Sequence, residues 1–95
     1  MTINDPSVYV EKEDDIDIAL QQPAKVILFN DEIHTFDEVI GQIIKATGCD
    51  QAKAESLTWE VHSAGKACVY EGEMPHCVQV SAVLEEIDLT TQIEV

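Results

Sequence analysis

Two places in this sequence carry polar groups set where chemistry could be done. The first is Asn30-Asp31-Glu32, three consecutive hydrogen-bond acceptors placed directly after the apolar run Val26-Ile27-Leu28-Phe29. That run has the β-branched and large apolar residues of a covered strand. The acceptors cannot prolong such a strand without burying unpaired polar groups, so the chain surfaces at Asn30. Thr35-Phe36-Asp37-Glu38 then has the spacing of a capping box, in which the threonine hydroxyl and the glutamate carboxylate satisfy the free amides of a helix start. The loop is therefore short and held at both ends, the kind of scaffold on which binding groups are commonly carried. The second place is His62, near the end of a later helical stretch. Each has a plainer reading when taken alone: a strand-end asparagine bonds neighbouring backbone, and a histidine late in a helix faces its free carbonyls.

Nucleophilic and metal chemistry are poorly served. Cys49, Cys68 and Cys77 read adequately as three small buried hydrophobes. His76, directly beside Cys77, points elsewhere on a helix, so no thiol is paired with a base. There is no Cys-x-x-Cys and no paired histidine to hold a metal. A non-enzymatic protein without cofactor or metal is expected. The odd cysteine count suits a reducing cytoplasm better than a disulfide framework. A formal charge of -14 over 95 residues excludes a basic nucleic-acid surface, predicts repulsion from anionic membranes and favours basic or amine-bearing partners. No apolar stretch is long enough for a membrane helix, and Met1 to Leu20 is acidic where a secretory leader would be basic and then apolar.

The elements that must position these groups follow from periodicity. Residues 1–23, with Glu11, Glu13, Asp14, Asp15 and Asp17 close together and few large apolar neighbours, are expected to form a flexible acidic tail. Residues 24–95 are expected to form one small core domain. A strand begins near Lys25. Phe36, Val39, Ile40, Ile43 and Ile44 have helical spacing up to a stop at Gly48. Asp50 caps a second helix with Ala54, Leu57, Val61 and Ala64 on one face, ending at Gly65. Lys66 to about Tyr70 reads as a strand. Pro75 opens a third helix carrying Val80, Val83, Leu84 and Ile87, and alternation from Leu89 to Val95 predicts a closing strand. The expectation is an α/β (α+β) sandwich of order β-α-α-β-α-β, with three helices on a three-stranded, largely antiparallel sheet.

Val26-Ile27-Leu28-Phe29-Asn30-Asp31-Glu32 with its threonine-capped helix, and Glu60-Val61-His62-Ser63-Ala64-Gly65-Lys66 downstream, together resemble the two signatures of the ClpS family, the adaptors of ATP-dependent Clp proteases. The resemblance implies an adaptor that binds N-terminal degron residues, hydrophobic or aromatic, and delivers the substrate to a AAA+ Clp unfoldase through a flexible N-terminal extension. It places Asn30, Asp31, Glu32 and His62 on the α-amino group of the substrate. It places His34, Phe36, Val39, Thr58 and Val61 on the pocket for the first side chain. Better-known members usually carry methionine at the positions of Phe36 and Thr58, and commonly have a docking glutamate and lysine in the third helix. This chain reads Met74-Pro75-His76-Cys77-Val78-Gln79-Val80 there, without the lysine. The alternative is a purely structural interaction module of related layout, such as a ribosomal-stalk C-terminal domain, although those lack both signatures.

Overall fold

The computed structural model describes residues 23–95. The expected acidic tail therefore lies, apart from Pro23, outside the described residues. The elements run β1 (Ala24–Phe29), α1 (Phe36–Thr47), α2 (Gln51–Ala64), β2 (Lys66–Gly72), α3 (Met74–Glu85) and β3 (Thr91–Glu94). β1, the most apolar strand, takes the centre of a wholly antiparallel sheet of order β2-β1-β3. Its register also satisfies charge, because Lys25 stands opposite Glu71 on one side and Glu94 on the other.

Ala24, Val26 and Leu28, alternate residues of β1, enter the core together with Val39 and Ile43 of α1, Ala54, Leu57 and Val61 of α2, and Cys77, Val80 and Leu84 of α3. The starts and stops of α1 and α2 have identifiable chemical causes. Thr35 and Glu38 make the full capping box, Asp50 accepts from the Lys53 amide, and Gly48 and Gly65 close α1 and α2 in left-handed backbone at φ 75° and 88°. A Cβ added at Gly65 would meet no atom within 4 Å, so its requirement is one of backbone alone. Gly65→Ala is accordingly expected to cost about 1–2 kcal/mol of stability, read as a lower urea midpoint at unchanged slope.

Several expectations are corrected. β2 continues two residues past Tyr70, where Glu71 and Gly72 pair with Lys25 and Ala24, and Val69 is inserted as a β-bulge: Val26 opposes Tyr70 while Ile27 opposes Cys68. α3 ends at Glu85, so Ile87 is not on the helix; Asp88 takes a left-handed φ of 64° and turns the chain toward β3. The buried face of α3 is Cys77, Val80, Ser81 and Leu84, with Val83 only half-buried. In β3 the alternation holds through Ile93 but not at Val95, an exposed chain end. Ala64 is exposed, and Thr58 takes the buried place on α2 instead. The cysteines are not alike either: Cys77 is buried, Cys49 half-buried and Cys68 exposed. Burial raises the Cys77 thiol above its ordinary value, which holds it as the unreactive acid.

Candidate binding site

The strand pairing decides what stands beside what. Phe29 opposes Lys66 at the end of the β1–β2 ladder, and the next amide, Asn30 N–H, donates to the Gly65 carbonyl at 2.9 Å. Gly65 is the C-cap of α2, so this one bond sets the acceptor loop beside the last turn of α2, where His62 stands. On the other side, the Phe29 amide donates to the Thr90 carbonyl and draws Leu89 in. Between these elements lies a cavity of about 310 Å³. It is lined by Asn30, Asp31, Glu32, His34, Phe36, Val39, Thr58, Val61 and His62, together with Leu28, Phe29 and Leu89.

The lining is sorted by polarity. Leu28, Val39, Val61 and Leu89 are buried and form an apolar interior, whereas Asn30, Glu32 and His62 are exposed and stand at the rim. Thr58, the buried polar member, spends its hydroxyl within its own helix, donating to the Ala54 carbonyl at 2.7 Å. It therefore adds no unsatisfied group to the interior. Phe36 is packed edge-to-face against His62, with centroids 5.2 Å apart, and against Trp59 at 4.6 Å. A volume at the small end of the roughly 300–1,000 Å³ typical of ligand pockets suits one side chain with its backbone.

Asp31 and His34 have a task the sequence does not announce. Asp31 Oδ1 accepts from the Ile33 and His34 amides at 2.9 Å each, and Oδ2 faces His34 Nδ1 at 2.7 Å. The other ring nitrogen, Nε2, donates to the Ile87 carbonyl in the turn after α3. Both partners of the ring only accept, so the pairing favours the doubly protonated imidazolium. The hydrogen bond to Asp31 and then that to Ile87 raise the His34 pKa. Burial works to raise the Asp31 carboxyl, but the His34 and Ile33 donors outweigh it and hold the group below its ordinary value. Asp31 is thus engaged in a clamp between the loop and the end of α3. Asn30, Glu32 and His62 are the rim residues whose side chains enter no hydrogen bond with other described residues.

The clamp has a pH signature. His34, with its raised pKa, contributes stability below its ordinary value of 6.5 and loses it as pH rises through the folded value. Asp31, with its lowered pKa, contributes above its ordinary value of 3.8 and loses it as pH falls through the folded value. The contribution is complete only between those ordinary values. The stability gap between the wild type and His34→Gln is therefore expected to be widest between those two ordinary values and to narrow as pH rises through the raised value of His34, which urea melts across pH will show.

The family model described as the ATP-dependent Clp protease adaptor protein ClpS matches residues 19–92. The chain belongs to the ClpS family. Among curated proteins, human E3 ubiquitin-protein ligase UBR2 is 33% identical over 79 residues, covering 78% of this chain and 4% of that protein. The mouse UBR2 is 36% identical over 58 residues, covering 61% of this chain and 3% of its own length. The chain thus spans only a few per cent of these ligases. Among solved structures, ClpS2 of Agrobacterium tumefaciens, bound to L-phenylalaninamide, superposes with a TM-score of 0.67 at 18% identity, covering 78% of this chain and 96% of that one. That likeness establishes the shared fold: three helices on the antiparallel sheet.

Set within the ClpS family, the structure adds three cavity residues that sequence reading left aside. Leu28 and Phe29 read as plain strand residues, and Leu89 read as the start of β3. The signal for the strand pair was their place immediately before the acceptor loop; Leu89 had none, because only the return of the chain after α3 brings it to β1. Gln42 was also missed. It is buried on α1 and donates to the Val83 carbonyl at 2.6 Å, which ties α1 to α3 behind the cavity. Helix α3 in this ClpS-family chain presents His76, Val78 and Gln79 to solvent, so its exposed face carries no lysine, arginine, aspartate or glutamate along that stretch. Among the described residues no helix is long and apolar enough to cross a membrane.

Proposed function

We propose that this ClpS-family chain is a non-enzymatic adaptor that grips the free N-terminus of a polypeptide, the first side chain entering the cavity and the α-amino group meeting Asn30, Glu32 and His62. The observation that carries this reading is the sorting of one small cavity into an apolar interior and an acceptor-bearing rim drawn from two elements. An N-terminal ammonium has a pKa near 7.7–8.0, so at neutral pH it presents three charged donors. Asn30 supplies an amide oxygen, Glu32 a carboxylate and His62 a ring nitrogen. An internal amide has neither that charge nor that number of donors, so such a rim selects chain ends. Burying a Leu or Phe first side chain contributes about 1.5–3 kcal/mol, and a charge-assisted bond about as much again.

The ligand bound to the Agrobacterium protein, L-phenylalaninamide, has the same pairing of free amine and apolar side chain and supports the reading. The test is a titration of the full chain with a peptide beginning in Leu and with its N-acetylated copy. Saturable binding of the free peptide with loss of at least tenfold on acetylation is expected. Equal affinity for both would return the chain to a plain interaction module.

Delivery to a AAA+ Clp unfoldase in the cytoplasm completes the proposal, with the acidic residues before Pro23 as the delivering segment. Removing residues 1–22 is expected to leave peptide affinity unchanged while abolishing stimulated degradation of an N-degron substrate by the partner protease. A truncated chain that no longer binds peptide would assign the segment to the cavity instead.

A further inference from the structure

Trp59, the chain's one tryptophan, is 58% exposed yet does not line the cavity. It lies immediately outside. Its ring packs edge-to-face on Phe36, with centroids 4.6 Å apart, and stands 6.1 Å from His62, and both of those rings do line the cavity. The three rings form a continuous aromatic step from the cavity wall to solvent on the α2 side. More than half of the indole surface is open to solvent beside the cavity mouth.

We propose that Trp59 receives the second residue of the bound peptide and favours a basic one, arginine or lysine. This rests on the reading of the cavity as a site for a chain end. An amine held at His62 places the first residue at the mouth, and the next Cα follows 3.8 Å further on. The 6.1 Å from His62 to the indole is then within reach of one extended side chain. Indole is the best aromatic partner for a cation. The charge around it has the matching sign: Glu55 lies one helical turn before Trp59 on the same face of α2, Glu60 adjoins it in sequence, and both are exposed. The formal charge of -14 strengthens the same preference and disfavours an acidic second residue. The long side chain of arginine or lysine also lays its apolar stem along the ring while its head meets the carboxylates.

The experiment measures affinities of the full chain for dye-labelled peptides that differ only at position two, Leu-Ala, Leu-Arg, Leu-Lys and Leu-Glu, each with a free amine. Arginine is expected to bind roughly three- to thirtyfold tighter than alanine, with glutamate weakest. Trp59→Ala is expected to bring the Arg-to-Ala ratio within twofold, whereas Trp59→Phe, which keeps a ring against Phe36 and His62, retains a reduced preference. If Trp59→Ala also loses the Leu-Ala peptide, the ratio measured in Trp59→Phe decides. An Arg-to-Ala ratio near one in the wild type, or one unchanged by either substitution, overturns the proposal while leaving the cavity reading intact. Failure of every free-amine peptide to bind, whatever its second residue, overturns both.

Discussion

Asn30→Ala and His62→Ala are each expected to weaken binding of a free N-terminal peptide by about 1–3 kcal/mol, the cost of leaving a donor of the ammonium without its acceptor. That corresponds to roughly five- to 150-fold in dissociation constant. Asn30 is the cleaner variant. Its backbone amide, not its side chain, holds the loop to the Gly65 carbonyl, so truncating the side chain leaves that bond in place. His62→Ala also removes a ring packed on Phe36, so part of its effect comes through the aromatic step. The same peptides with an acetylated N-terminus are expected to bind weakly to all three proteins, with no difference between the wild type and Asn30→Ala. Unchanged affinity in both variants would mean that the rim does not hold the amine. Asp31→Asn tests a separate point, since its carboxylate acts through His34: it is expected to lower stability more than it lowers the preference for a free amine over an acetylated one.

Phe36→Ala is expected to change which first residues are accepted. The resemblance to the ClpS family leads us to expect a gate against side chains branched at Cβ at this position, where the chain holds a rigid ring braced against Trp59 and His62. Forcing a branched side chain past such a ring costs about 1–3 kcal/mol, so the wild type is expected to take Phe, Tyr and Leu and to refuse Val and Ile. Removing the ring opens the gate and admits both. Thr58, another lining residue, lies one helical turn before His62 and is shorter than the methionine of better-known members, so it is expected to leave room that favours planar side chains over slender ones. Affinities for peptides differing only in the first residue decide the matter, and wild-type binding of Val or Ile equal to that of Phe would show that Phe36 is no gate.

The sequence alone determined the order and types of the elements and the point where the polar acceptors surface. Their causes are local: the β-branched run of β1, the Thr35–Glu38 capping box, Asp50 as an N-cap and the left-handed glycines at 48 and 65 all act within a few residues of where they stand. Asn30 was legible as a surfacing point for the same reason, and His62 as a residue of the last turn of α2. Their meeting was not legible from periodicity. It depends on the antiparallel register of β1 with β2, sealed by the bond from the Asn30 amide to the Gly65 carbonyl, and only the family signatures anticipated it.

What the tertiary structure decided are the contacts between residues far apart in the chain. Asp31 and His34 read as a rim acceptor and a cavity wall, but the His34 ring finds its second partner in the Ile87 carbonyl, 53 residues on, and that partner exists only because α3 stops at Glu85 and the chain turns at Asp88. Leu89 joins the cavity through the same turn. Trp59 carried no signal beyond its size, because a single large residue on a helix reads equally as core or surface. Its place beside Phe36 is set by the packing of α1 against α2. Local chemistry chose the ends of α1 and α2, whereas long-range closure chose which side chains share a cavity, because hydrogen-bond register and helix termination combine at positions no short window of sequence contains.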